Sequence, residues 1–216
     1  KSKDDLASED VEAVRRGFVN LEAHAKNVRK FGVPPVVAIN RFVTDTDAEI
    51  AVLLDGCAEM GVRAVVADPW GEGGAGCLDL ADAVWEILTS GEAAYTPLYP
   101  NDMGLIEKME TIAQEIYGAE GLDIHPSAAK EIAVLEEAGM RDSPVCIAKT
   151  QYSFSDDPAL LGRPSGFRIH VREVTPSAGA GFVVAKTGAI MTMPGLGAVP
   201  SAMGVDLMDG VVTGLF

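Results

Sequence analysis

The sequence has few of the features that mark a specialised class of protein. Its three cysteines among 216 residues are too few and too scattered for a disulfide framework or a paired zinc motif. No apolar run approaches the roughly 18 residues of a membrane span. The first residues carry too many charges for a secretory signal. These absences favour a reduced, cytoplasmic protein with no membrane partner.

Basic residues are also scarce. The chain has 17 Lys and Arg against 32 Asp and Glu, a net charge of −15. Because that charge repels phosphate backbones, nucleic acid is not an expected partner. Residues 143–205 depart from the trend, with five bases and three acids. This stretch either faces an anion or is a β-rich region with few surface charges.

Several nucleotide and metal motifs are missing as well. The chain contains no G-x-x-x-x-G-K-[ST] and no G-x-G-x-x-G between its first predicted strand and the next helix. The first absence excludes a P-loop here, and the second argues against a dehydrogenase-type Rossmann enzyme. His24, His125 and His170 are dispersed, and no metal-ligand spacing appears, so no metal site is predicted.

The first half of the chain alternates helix and strand patterns, and 48% of all residues are hydrophobic. Thr46 and Glu49 form a predicted capping box at the start of the second helix. The predicted elements are helix 11–28, strand 35–39, a helix from 46 to about 60, strand 63–67 and helix 78–88. This order predicts an α/β fold with a Rossmann-like parallel sheet. Right-handed crossovers place both strand-to-helix loops at one sheet edge, where ligands bind in such folds.

The pattern changes after a predicted linker at residues 96–102. Two helices are predicted, over 102–117 and 126–138, with Gly139 at the end of the second. Strands are then predicted at 144–148, around 167–171 and within 182–192, with a hairpin at Asp209-Gly210. We therefore predict two domains: an α/β domain over residues 1–99 and a smaller α+β domain over residues 100–216.

Phe42 and Trp70 are the leading candidate site residues. Each follows a predicted strand by two or three residues, so both lie at the same sheet edge. The two rings either clamp a flat heterocycle or only cover the end of the sheet. The glycine-rich loop at residues 71–76 precedes a helix; Glu72 disfavours phosphate there, and close approach to a flat ligand is preferred.

A second candidate region is the loop at residues 149–166, which is rich in hydrogen-bonding side chains. Lys149 either contacts a phosphate or carboxylate or is a solvated lysine. Pro164 and Ser165 either border a ring pocket or form a plain turn. Residues 192–200 have turn chemistry and a structural role is expected. Cys57 and Cys77 are interpreted as small packing residues.

Several segments in order resemble one family. They are NLEAHAKNVRKFGVPPVVAINRFVTDTDAEI (20–50), WGEGGAGCLDLA, KTQYSFSDDPALLGRPSGF, SAGAGF (177–182), TMPGLG and the terminal GLF. Together they resemble formate–tetrahydrofolate ligase, also called 10-formyltetrahydrofolate synthetase, across nearly the whole chain. Val43 departs from the proline that the family has at this position.

The resemblance implies ATP-dependent ligation of formate to tetrahydrofolate through formyl phosphate. It implies that Phe42 and Trp70 stack on the pterin and that Pro164 and Ser165 border the adenine. It also implies Mg²⁺, a monovalent cation and a homotetramer. The family's P-loop lies N-terminal to every segment seen here, so the chain resembles a C-terminal fragment that is inactive alone. The alternative is a standalone folate- or nucleotide-binding module; a P-loop in the upstream coding sequence would decide between them.

Overall fold

The computed structural model describes residue 5, residues 7–190 and residues 198–214. Helix and strand patterns seen in the sequence become regular elements over most of this range. The helices are α1 (Val11–Arg29), α2 (Asp47–Glu59), the short α3 (Pro69–Glu72), α4 (Leu78–Ser90), α5 (Leu105–Ile112) and α6 (Pro126–Leu135). The strands are β1 (Val36–Asn40), β2 (Arg63–Ala67), β3 (Leu122–Ile124), β4 (Val145–Ala148), β5 (Ile169–Ser177), β6 (Phe182–Thr187), β7 (Asp206–Met208) and β8 (Val211–Thr213).

Local chemistry sets where α1 and α2 begin. The Asp10 side chain accepts a hydrogen bond from the Ala13 amide at 2.9 Å and caps α1. The capping box at Thr46 and Glu49 is confirmed, because each side chain accepts from the other residue's backbone amide. The cap at Thr46 sets the residue at which α2 begins. It therefore also sets the length of the loop between β1 and α2, which carries Phe42.

The predicted α/β fold is confirmed. β1 and β2 pair in parallel, with Val36 opposite Arg63 and Asn40 opposite Ala67. Helices α2 and α4 both pack on this pair of strands. A small cluster of Ala25, Cys57 and Val62 is buried between α1, α2 and the strands. Cys57 is therefore the packing residue that the sequence predicts.

The second half of the chain is built on a mixed sheet in the order β3-β5-β6-β4. β3 and β5 are parallel, β5 and β6 antiparallel, and β6 and β4 parallel. α5 and α6 pack on this sheet, and each runs into a π-helical turn, at Ala113–Tyr117 and Glu136–Met140. The end predicted at Gly139 is confirmed, because Gly139 has a φ of +85° that ends the helix.

Two predicted features near the C-terminus have different outcomes. The hairpin is confirmed: β7 and β8 pair around Asp209 and Gly210, which both have positive φ. A strand was predicted within residues 182–192, and the structure has one there, β6, which ends at Thr187. The last two residues of the predicted range lie outside the described residues. Most of the turn segment 192–200 lies outside them too.

α1 lies between the two halves of the chain. Ala25 belongs to the cluster beside β1 and β2, whereas Ala23 belongs to the larger core around the four-stranded sheet. The Asn27 side-chain amide also donates to the Ile116 carbonyl at 2.7 Å. The division into domains at residues 99 and 100 stays a prediction, and α1 contacts both of the regions that it separates.

Candidate functional site at the carboxyl edge of the parallel strands

The loop after β1 presents Phe42 to solvent. The Arg41 amide donates to the Ala67 carbonyl at 2.9 Å and extends the pairing of β1 with β2 by one residue. The chain then turns: the Asp45 amide donates to the Phe42 carbonyl, and the Phe42 amide donates to the Asp45 carboxylate at 2.8 Å. The backbone amide and carbonyl of Phe42 are thus both hydrogen-bonded, while the residue as a whole is 62% exposed.

The loop after β2 presents Trp70 in the same way. Asp68 caps α3, accepting a hydrogen bond from the Gly71 amide at 2.6 Å. The Asp68 amide donates to the Gly76 carbonyl at 3.1 Å and closes the base of the loop. Trp70 lies in α3 and is 76% exposed. The sequence predicts a loop over residues 68–76, and the structure adds α3 and a 3-10 turn at Ala75–Cys77 within it.

Two glycines of this loop have different surroundings. A Cβ on Gly76 would lie 2.2 Å from the Asp68 carbonyl oxygen, a distance that forces the backbone to move. A Cβ on Gly74 would meet nothing within 4 Å, and Gly74 has an ordinary helical φ of −62°. Gly76 is therefore required for the closed base of the loop, whereas Gly74 is not.

The strand register brings the two aromatic loops together. Asn40 and Ala67 lie opposite each other at the ends of β1 and β2. Phe42 follows Asn40 by two residues, and Trp70 follows Ala67 by three. Both exposed rings consequently belong to the carboxyl edge of one parallel sheet. Large aromatics are costly to leave in water, and two of them at a ligand-binding edge are suited to stacking on a flat ring.

Pro164 and Ser165 belong to a different part of the fold. They lie in the loop before β5, where Pro164 is half-buried and Ser165 exposed. The end of this loop is fixed by the Glu120 amide, which donates to the Phe167 carbonyl at 2.8 Å. This pair therefore lies beside the four-stranded sheet, whereas Phe42 and Trp70 follow the two-stranded one. Their role in bordering a ring pocket stays a prediction.

Among the residues that the structure describes, the partners of the Lys149 ammonium are backbone carbonyls and not an acid. Its ammonium donates to the Thr150 carbonyl at 2.7 Å and also to the Ser153 carbonyl. It lies 5.1 Å from the centre of the Tyr117 ring. Burial lowers the pKa of Lys149, and nearby Asp156 opposes that shift. Two of the three ammonium protons are thus used to hold the first turn of the loop at residues 149–166.

A cavity of about 330 Å³ lies between α1 and this loop, and sequence reasoning missed it. His24 of α1 contacts Phe154, with ring centres 4.8 Å apart, and both line the cavity with Lys149 and Tyr117. The signal for it was weak, because His24 is one of many polar residues on α1. The cavity lies where the loop at residues 149–166 packs against α1.

No cluster of three His, Cys, Asp or Glu side chains occurs in the parts of the chain that the structure describes. Mg²⁺ is usually held by one or two carboxylates together with the phosphates of a substrate, so it does not require such a cluster. The Mg²⁺ and the monovalent cation stay what the resemblance implies, and none of the described residues is assigned to either.

The described residues form an α/β protein whose parallel strands carry two exposed aromatics at their carboxyl edge, the edge where ligands bind in such folds. Comparison with known families is more specific. All of residues 1–216 match the family model described as "Formate--tetrahydrofolate ligase". The chain belongs to the formate–tetrahydrofolate ligase family.

Curated relatives support the same assignment. The chain is 52% identical over its whole length to a protein from Granulibacter bethesdensis and 54% identical to one from Allorhizobium ampelinum, both named formate–tetrahydrofolate ligase. It covers 38% of the first relative and 39% of the second. The chain thus spans about two fifths of the length of these relatives. No helix in the described ranges combines the length and apolarity needed to cross a membrane.

Proposed function

We propose that this chain is the part of a formate–tetrahydrofolate ligase that holds the pterin ring of tetrahydrofolate. The whole ligase joins formate to tetrahydrofolate at the expense of ATP, giving 10-formyltetrahydrofolate, ADP and phosphate. The observation that carries the proposal is the pair of exposed rings, Phe42 and Trp70, at one edge of a parallel sheet in a chain of this family.

The reaction proceeds through formyl phosphate. The γ-phosphoryl group of ATP passes to a formate oxygen; the folate amine then attacks the formyl carbon, phosphate leaves and the amine loses its proton. The first step needs a phosphate cradle and electrostatic positioning. The second needs the amine held in line with the formyl carbon and water kept from the acyl phosphate. Phe42 and Trp70 serve the second step by fixing the plane of the pterin.

Pro164 and Ser165 are proposed to border the adenine of ATP. The half-buried proline ring and the neighbouring serine hydroxyl supply an apolar surface and a hydrogen-bonding group. The phosphates must be held elsewhere in the ligase, because this chain has no G-x-x-x-x-G-K-[ST]. We propose a cytoplasmic homotetramer for the whole enzyme; the three free cysteines are consistent with a reducing compartment.

The segment expressed alone is expected to be inactive. It lacks the motif that holds ATP phosphates, so it cannot form formyl phosphate. The measurement is ATP- and formate-dependent formation of 10-formyltetrahydrofolate by the purified, folded segment. Product above the no-enzyme rate would refute the proposed division of labour. Calorimetric titration of the same sample with tetrahydrofolate shows whether the pterin site is already formed.

Replacing Gly76 by alanine is expected to weaken tetrahydrofolate binding by roughly tenfold, about 1.4 kcal/mol. The added Cβ displaces the Asp68 carbonyl and with it the helix turn that carries Trp70. Gly74→Ala is the matched control, since its Cβ enters open space in the same loop. Fluorescence or calorimetric titration of both variants of the full-length ligase gives the two Kd values. Equal Kd values for Gly76→Ala and Gly74→Ala would show that this loop does not contact the folate.

A further inference from the structure

The outer edge of β1 is unpaired in the part of the chain that the structure describes. β1 pairs only with β2, in a parallel sheet of two strands. The Arg41 amide points at β2, and amides alternate along a strand, so the amides of Ala38 and Asn40 face the other way. Parallel strands are normally buried in larger sheets and read as continuous apolar runs, as Val36–Ile39 does.

α4 has a second apolar face beside its packed one. On its packed side Ala83 is buried and Leu80 is half-buried, and the half-buried Ile87 lies at the border between the two faces. Val84, Trp85 and Leu88 are exposed, with Trp85 at 66% and Leu88 at 68%. Their spacing places them in one stripe along the helix. A helix that is apolar on two sides is typical of one that is buried on two sides.

The stripe and the strand are connected by an apolar groove of about 390 Å³. Val84 and Leu88 of α4 line one side, and Pro34, Pro35 and Val36 at the start of β1 line the other. Its exposed wall is almost entirely apolar. The groove makes the edge of β1 and the stripe on α4 one continuous surface, which we call the β1–α4 surface.

The rest of the ligase polypeptide fits this surface better than a second copy of the chain does. The curated relatives are more than twice as long as this chain, so ample polypeptide exists to cover it. Two copies related by a twofold axis would place their β1 strands antiparallel. β1 already belongs to a parallel pair, and purely parallel sheets are over-represented. A parallel strand from the same polypeptide continues the sheet without mixing directions.

We infer that the β1–α4 surface is where the remaining part of the ligase polypeptide docks, adding a parallel β-strand to β1 and apolar side chains to the groove. The added strand would end at the same sheet edge as Phe42, because all carboxyl ends of a parallel sheet meet there. The docking thus brings another loop of the ligase next to the proposed pterin site. The inference rests on family membership and not on the identity of the ligand.

Amide hydrogen exchange in the ligand-free, full-length ligase tests the inference at β1. The expected result is that the amides of Ala38 and Asn40 exchange as slowly as the amides of Val37 and Ile39, which point at β2. That protection must be the same at high protein concentration and after dilution to the monomer. Exchange of Ala38 and Asn40 as fast as exposed loop amides would overturn the inference. Protection that is lost on dilution would overturn it in favour of a second copy.

A pair of matched variants tests the helical side of the surface. Val84→Gln is expected to lower the unfolding midpoint of the full-length ligase by about 3 °C, because it buries an unpaired amide. Val134→Gln is the control: Val134 is more exposed and lies near the end of α6, outside the proposed surface. Equal midpoints for the two variants would overturn the docking at α4. Neither measurement uses folate, so failure here is distinct from failure of the proposed function.

Discussion

Trp70→Ala in the full-length ligase is expected to weaken tetrahydrofolate binding by roughly 30-fold, which corresponds to about 2 kcal/mol. The loss combines the stacking energy of the indole with the apolar area that it covers on the pterin. Because Trp70 is 76% exposed, removal of its ring is expected to leave no cavity and to change the stability little. Calorimetric titration with tetrahydrofolate gives the Kd, and thermal unfolding checks that the variant is folded.

Two further variants separate stacking from simple apolar contact. Trp70→Phe keeps a flat π face and is expected to retain most of the affinity for tetrahydrofolate. Trp70→Leu keeps apolar area without that face and is expected to lose most of that affinity. Tyr95→Ala removes another exposed aromatic, which stacks on Phe31 before the start of β1, away from the carboxyl edge of the strands. It is expected to leave the Kd unchanged. If Trp70→Ala and Tyr95→Ala have the same Kd, Trp70 only covers the end of the sheet.

A double-mutant cycle with Phe42→Ala decides whether the two rings act as a clamp. Rings that flank one pterin depend on each other, because a plane held on one face only is poorly fixed. The double variant is then expected to lose less binding energy than the sum of the single losses. Losses that add would mean that the rings contact different parts of the ligand, or that only one contacts it.

The sequence predicted those parts of the fold that depend on interactions between residues close together in the chain. The capping box at Thr46 and both strands of the parallel pair were predicted closely. Each depends on residues within a few positions, such as a β-branched run that ends at a turn. The order β3-β5-β6-β4 was not predicted. This order depends on pairing between strands that are far apart in the sequence, such as β4 with β6. A local sequence pattern does not predict such pairing.

The candidate site was predicted in position but not in detail. Strand ends and crossover handedness were enough to place Phe42 and Trp70 at one edge. The ligand came from the resemblance to a family, because two aromatic rings accept any flat molecule. The hydrogen bonds that Lys149 makes to backbone carbonyls were not foreseen, since the path of a long loop after a strand depends on what it packs against.

Lys108 shows a signal that was present and overlooked. Leu105, Lys108, Met109 and Ile112 follow helical spacing, so the lysine occupies the apolar face of α5. In the structure Lys108 has no exposed surface. Its ammonium donates to the carbonyls of Arg141 and Ser143, at 2.9 and 3.1 Å, and lies 5.9 Å from the Tyr99 ring. It therefore ties α5 to the turn that leads into β4.

Replacing Lys108 by methionine is expected to lower the free energy of unfolding by about 2 kcal/mol. Methionine keeps most of the apolar stem but leaves two buried carbonyls without a donor. Lys130→Met is the control, because Lys130 is an exposed lysine on α6 and its loss is expected to cost less than about 0.5 kcal/mol. Urea unfolding of the two variants of the segment measures both differences. Equal values would show that the carbonyls find other partners.

The pH dependence of this loss tests the cause. Burial lowers the pKa of Lys108 below its ordinary value of 10.5. Between the lowered pKa and 10.5, the unfolded chain binds more protons than the folded one, so the contribution of Lys108 to stability rises with pH. The gap between wild type and Lys108→Met is therefore expected to widen as pH rises toward 10.5. A gap that narrows over this range would mean that the charged ammonium, and not the amine, is the form the fold prefers.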